Sequence, residues 1–335
     1  MDIKMVGRAV KLAIVLSLCV VLLGAWTRIN DAGLSCPDWP GCYGHMVLPS
    51  DPEALNKAQT IYPEVLLERS KTNLEMWHRY LAGGLGLVIA FIAYIAVRLR
   101  KVEGFPVTLC LGLFVLVIIQ ALFGMWTVTL KLYPPVVTLH LLGGVLTLTV
   151  LLFIHVRLKA IRDQYCKYQP QAQAGLVRTA ILVLLLQIVL GGWTSSNYAG
   201  PACSHWLSCN PDVQIQPDFK QGFNPAAVIG PNYQGGLLPV EARSAIQIGH
   251  RLGALVVVLV GVFLVVRLMR ESAVLKPLMC FVFLMFAQLI LGALNAVYAV
   301  PALLAMLHHA IAIGLLLSLL WVYSNLKKVK GENHE

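Results

Sequence analysis

Six of the nine histidines fall in long apolar stretches; His155 sits at the cytoplasmic end of its stretch, and the other five, His78, His140, His250, His308 and His309, lie well inside, where an imidazole has little water to bind. Histidine is the commonest metal ligand, and ionisable groups inside apolar spans are functional candidates. A single one would ordinarily be a polar side chain hydrogen-bonded at a helix interface. Glu75 stands three residues before His78, on the same helical face, and could carry a proton or hold a water there. The equivalent position before His250 is Gln247, a neutral amide that cannot act as acid or base. The competing reading pairs Glu75 with Arg79 or with the first-turn dipole. Arg79 and Arg251 directly follow His78 and His250; arginine grips carboxylates well and also snorkels to headgroups. Finally, "CPDWPGC" (36–42) and "CSHWLSC" (203–209) each set two cysteines around a tryptophan.

The elements that must position these groups are membrane spans. Of 335 residues, 58% are hydrophobic and 13% charged, which suits a polytopic membrane protein and not a soluble domain. Apolar runs of roughly 20 residues occur near 10–28, 76–98, 106–128, 136–158, 176–195, 245–267, 275–298 and 302–324. The net charge of +10 is distributed by side. Basic clusters fall around Lys4 to Lys11, Arg98 to Lys101, Arg157 to Arg178, Arg267 to Lys276 and Lys327 to Lys330, all on one face of an eight-span arrangement. That is the positive-inside pattern, with both termini cytoplasmic; a nucleic-acid face would not alternate with spans. The first run is followed by "AWTRIND", not by a small-x-small cleavage site, and reads as a retained helix.

The chain repeats itself. "LGAWTRINDAGLSC" (23–36) matches "LGGWTSSNYAGPAC" (190–203), "EMWHRYLAGGLG" (75–86) matches "QIGHRLGALVVV" (247–258), "QALFG" (120–124) matches "QLILG" (288–292), and His140 matches His308. Four spans per copy keep the orientation, so the expected architecture is all-α: eight transmembrane helices in two parallel-repeated four-helix bundles, residues 1–168 and 169–335. His78, His140, His250 and His308 then lie about one turn, roughly 5–6 Å, inside the outer face, as two equivalent pairs. Two protein ligands per site are too few for a closed zinc site. Facing imidazoles between helices suit a haem bound axially from both sides. Glycines beside the ligands would admit a macrocycle, although they also serve ordinary helix packing. His309 points about 100° away from His308, and the repeat selects His308.

Both cysteine pairs fall in outer loops, in a compartment where disulfides are allowed. A bridge could close each loop above its histidine pair; zinc held by two meeting loops is the alternative. Whether Cys36 and Cys42 would staple the loop or exchange redox equivalents stays open at this level. Cys19, Cys110, Cys166 and Cys280 read as filler or free thiols.

Taken together, "GLSCPDWPGC", "EMWHRYLAG", "TLHLLGG", "IGHRLGA", "LHHAIA" and the eight-span repeat closely resemble the haem A synthase family over about residues 8 to 325. The resemblance implies oxidation of a haem O methyl group to a formyl group by successive hydroxylations, giving haem A for terminal oxidases. It implies that His78 and His140 ligate the haem O or haem A iron in the N-terminal half. His250 and His308 would hold a haem B, and Glu75 would act near the substrate methyl. Cys36–Cys42 and Cys203–Cys209 match the loop pairs of cysteine-containing bacterial members. The implied setting is the bacterial inner membrane, with periplasmic cysteine loops, lipid around the spans, a haem O synthase, oxidase-assembly factors and an electron acceptor as partners, and no nucleic acid. A di-haem b-type cytochrome exchanging electrons with quinol would also use four histidines but leaves Glu75 without a role. A transporter would place its polar residues near the bilayer midplane.

Overall fold

The computed structural model describes residues 3–162, 173–203, 205, 209, 215–226 and 228–326. The expected division at 168/169, Cys166, and the tail cluster Lys327 to Lys330 lie outside them. The described chain is helical: α1 (Ile3–Ile29), α2 (Pro52–Ile61), α3 (Arg69–Arg98), α4 (Val107–Thr129), α5 (Pro134–Arg162), α6 (Gln173–Ser196), α7 (Phe219–Gly222), α8 (Val240–Leu268), α9 (Leu275–Val297) and α10 (Ala302–Leu326), with no strand among the described residues. Eight of these helices are long and apolar enough to cross a bilayer. In hydrocarbon every backbone N–H and C=O must be satisfied internally, which leaves the helix as the spanning form for such sequences. The chain is a multi-pass membrane protein.

Two compact units form, Met1–Ile154 with Pro225–Leu237, and His155–Asn224 with Leu238–Glu335. In the first, α1 packs on α3 and α3 on α4. A stripe of Val6, Val10, Ala13, Ser17 and Val21 is the buried side of α1, and Gly144 of α5 lies against Val21. In the second, α6 packs on α8 and α10, and α9 on α8 and α10. Outward faces are apolar too: Leu255, Leu259, Val262 and Val266 of α8 are exposed, as side chains bathed in lipid would be.

The repeated tryptophan–threonine–asparagine motif is a helix-ending device. After α1, Asp31 takes φ 50° and Ala32 donates its N–H to the Thr27 carbonyl at 2.9 Å. After α6, Tyr198 takes φ 52° and Ala199 donates to Thr194 at 2.9 Å. These are left-handed caps with the long reach of a Schellman closure, made here without glycine at about 1 kcal/mol each. Asn30 and Asn197 add side-chain bonds to the carbonyls of Trp26 and Trp193. The α4–α5 and α9–α10 turns close alike: Leu132 N–H bonds Thr127 and Val300 N–H bonds Asn295, both at 2.8 Å.

Between α1 and α3 the chain builds a small cover. Asp51 caps α2 by accepting from Ala54 N–H at 2.9 Å, with Pro52 preset for the first turn. Cys36, Cys42, Tyr43, Ala58 and Met76 form its buried cluster, flanked by Leu48, Tyr62, Val65 and Leu67. Met76 belongs to α3, so this cluster fixes the cover to the helix that carries Glu75 and His78. The segment Pro225–Leu237 joins the same unit, where Tyr233 N–H bonds the Lys131 carbonyl at 3.0 Å.

Candidate functional site

Each histidine pair comes from two helices of one unit. His78 of α3 and His140 of α5 have ring centroids 6.4 Å apart; His250 of α8 and His308 of α10 are 6.5 Å apart. A metal with an imidazole nitrogen about 2 Å away on either side sets two ring centroids roughly 6.3 Å apart, so each pair leaves room for one metal atom. No cluster of three or more such donors occurs among the described residues. Buried Nδ1 atoms of His78, His140 and His308 have no hydrogen-bond partner there. Buried polar groups are normally satisfied; with the ring separations, these unpartnered atoms fit residues that would hold the iron of a haem. It is the His308 ring, not that of His309, that meets His250; His309 is partly buried with its Nε2 unpartnered among the described residues.

Four glycines, one on each neighbouring helix, make room for the rings. A Cβ on Gly24 of α1 would lie 2.7 Å from His78 Cε1. On Gly191 of α6 it would lie 3.4 Å from His250, on Gly124 of α4 3.4 Å from His140, and on Gly292 of α9 3.3 Å from His308. These glycines sit inside the repeated motifs, and the matching of Gly24 with Gly191 and of "QALFG" with "QLILG" was their only sequence signal. Buried amides surround the second pair. Gln187 Nε2 lies 3.1 Å from His250 Nδ1 and donates to the His250 carbonyl at 2.9 Å, while Gln288 Nε2 lies 3.2 Å from His308 Nε2. Gln187 has no counterpart in the first half, where Val20 occupies the matching position.

The two units differ most at Glu75. Its side chain is buried, 6% exposed, and paired with Arg79. Its other oxygen, Oε2, accepts from Ser35 Oγ at 3.0 Å and from the Cys36 N–H at 2.9 Å. Arg79 also donates to the carbonyls of Asp38 at 2.9 Å, Pro40 at 3.2 Å and Gly41. Both terminal nitrogens of Arg79 are therefore engaged within the chain. Arg251 keeps a buried Nη2 with no partner among the described residues. In place of the carboxylate, Gln247 donates its amide to the Gly200 carbonyl at 2.8 Å. That bond ties α8 to the turn after α6 with no ionisable group involved.

Cys36 is bonded to Cys42, and Cys203 to Cys209. The first bridge closes the loop whose carbonyls Arg79 grips. Tyr43, next to it, is buried; burial pushes its hydroxyl up to about 12, with the charges of Glu64, Glu75 and Asp38 adding to the effect. It donates to the Val65 carbonyl at 2.9 Å, so the cover beside Glu75 carries a neutral phenol. Cys19, Cys110 and Cys280 are free thiols.

Comparison with known proteins shows the family. The family described as "Cytochrome oxidase assembly protein", COX15-CtaA, matches residues 8–320. A protein of Shewanella oneidensis named heme A synthase is 38% identical over 93% of this chain and 94% of its own length. Proteins of the same name from Rhizorhabdus wittichii and Flavobacterium johnsoniae are 27% and 26% identical, over 95% and 94% of this chain and 93% and 95% of their own. The chain belongs to the COX15-CtaA family of cytochrome oxidase assembly proteins.

Proposed function

We propose that this chain is a haem A synthase, an oxidoreductase that converts a methyl group of haem O to a formyl group. The observation that supports the reading is inequality between two similar sites: a like histidine pairing in each unit, with a buried carboxylate, Glu75, three residues before the first histidine of one and the neutral Gln247 at the matching position of the other. His78 and His140 hold haem O as substrate and haem A as product. His250 and His308 hold a haem B, which supplies one-electron redox chemistry when bound, and Arg251 offers its Nη2 to a propionate. Hydroxylation of the methyl, a second hydroxylation to a geminal diol and loss of water give the aldehyde. Each step moves protons, and Glu75 is the group placed to take or return them. Arg79 holds the outer loop over the site and fixes Glu75. The two functional halves divide near residues 168/169. The protein sits in the bacterial inner membrane with cytoplasmic termini and periplasmic cysteine loops. It receives haem O from a haem O synthase, hands haem A to oxidase assembly, and passes electrons to an acceptor.

Pigment analysis of purified protein, coexpressed with a haem O source, tests this. Glu75→Gln lowers haem A by roughly a hundredfold while haem O remains bound. His78→Ala removes haem O and haem A and spares haem B; His250→Ala removes haem B. Undiminished haem A in Glu75→Gln takes Glu75 out of the reaction, and loss of the same pigment from both histidine variants rejects the unequal halves.

A further inference from the structure

The hydroxyl of Ser35 has two acceptors and one hydrogen. Its Oγ lies 2.7 Å from the Ala32 carbonyl and 3.0 Å from Glu75 Oε2, and a serine can donate to only one of them at a time. The arrangement is complete in either protonation state of the carboxyl. When Glu75 is ionised, Ser35 donates to Oε2, the Cys36 N–H donates to the same oxygen, and Arg79 serves Oε1. The Ala32 carbonyl then keeps the Ser35 N–H at 3.4 Å. When Oε2 carries a proton, that proton is donated to Ser35 Oγ, and the hydroxyl turns to Ala32. Neither state leaves a buried polar group unpaired, so a proton can arrive or leave without the cost of an orphaned donor or acceptor. Ser35 is 6% exposed and Glu75 4%, so the pair is shielded from bulk water.

The internal repeat supplies independent support. Ser35 aligns with Ala202, and Glu75 with Gln247. At the aligned positions the carboxylate and the hydroxyl are exchanged together, for an amide and a methyl, whereas the arginine, the histidine pair and the disulfide are present in both. A serine needed only to end α1 would have no reason to vanish together with the carboxylate, since α6 ends in the same closure.

We propose that Ser35 is the positioning residue and proton partner of Glu75, its hydroxyl rotor switching between Oε2 and the Ala32 carbonyl as the carboxyl loses and gains its proton. The charged and titratable groups around the pair include Arg79 and His78 on α3 and Asp38, Tyr43 and Glu64 on the cover, while the bonds to Oε2 come from Ser35 and Cys36. This rests on Glu75 as the carboxylate of the N-terminal site, and the test separates the two claims. Infrared difference spectra of the purified full-length protein are recorded through a pH titration; the Glu75 carboxyl band is the one missing from Glu75→Gln. In Ser35→Ala that band shifts in frequency, and in Ser35→Thr it returns towards the wild-type position. Turnover of haem O falls about tenfold in Ser35→Ala with pigment loading unchanged, and Ser35→Thr recovers most of it. A Ser35→Ala band superimposable on the wild type, or equal turnover in wild type and Ser35→Ala, overturns the proposal. Full haem A formation by Glu75→Gln would sink the catalytic reading while the infrared band still reports on the hydrogen bond.

Discussion

Arg79→Met frees the 35–41 loop and destabilises the N-terminal unit by roughly 3 kcal/mol or more. The substitution removes the cation paired with a carboxylate that is only 6% exposed. It also removes donors to three carbonyls of the loop closed by Cys36 and Cys42. Breaking one side of a buried pair costs more than the pair contributes, because the remaining charge stays behind without a partner. Arg79→Lys recovers only part of the loss: a single ammonium cannot serve the carboxylate and the loop carbonyls with the geometry of a planar fork. Arg251→Met costs less, since among the described residues no carboxylate pairs with Arg251 and its Nη2 has no partner. Thermal unfolding of the detergent-purified protein, read beside the rate at which mild reductant exposes Cys36 and Cys42 to a thiol label, measures both effects. An Arg79→Met protein that melts with the wild type and resists reduction equally would show that the loop is held by its disulfide and its apolar cluster alone.

Gly24→Ala depletes the first histidine pair and spares the second. The new Cβ would lie 2.7 Å from His78 Cε1, a distance carbon atoms do not tolerate, and the α1 backbone stands on the other side. Either α1 or the imidazole must shift by several tenths of an ångström. Metal ligation is sensitive to shifts of that size, and disturbing the groups that orient a ligand costs roughly ten- to a hundredfold in affinity. Extracted pigment from Gly24→Ala therefore loses haem O and haem A while haem B stays at the wild-type level. Gly191→Ala is the matched control in the other unit. Its Cβ would lie 3.4 Å from His250, which is ordinary contact, so haem B falls little. Equal pigment loss in the two alanine variants would remove the glycine seat as a difference between the units.

The cover over the first unit illustrates what side chains add to a spacing. The sequence places Glu75 on the same helical face as His78 and offers Arg79 as a partner or a propionate grip. The structure joins Glu75 and Arg79 and turns the rest of both side chains to the 35–41 loop. No periodicity along α3 could show this, because those partners lie some forty positions earlier in the chain. The same holds for the four glycines, which read as packing residues until each is seen against an imidazole.

Composition and apolar run length alone pointed to a helical membrane protein with eight candidate spans, because apolar runs of about 20 residues satisfy their backbone within the segment only as helices. Internal repetition determined which histidines correspond, and it separated Glu75 from Gln247. The tertiary structure decided the rest. It set centroid distances of 6.4 and 6.5 Å between rings on different helices, with the His308 ring against His250, and joined each cysteine to its partner in the same loop. It also brought Ser35 to Glu75. Local pattern reports which face of a helix a residue occupies; which other helix or loop meets that face is settled only when all the faces are packed together.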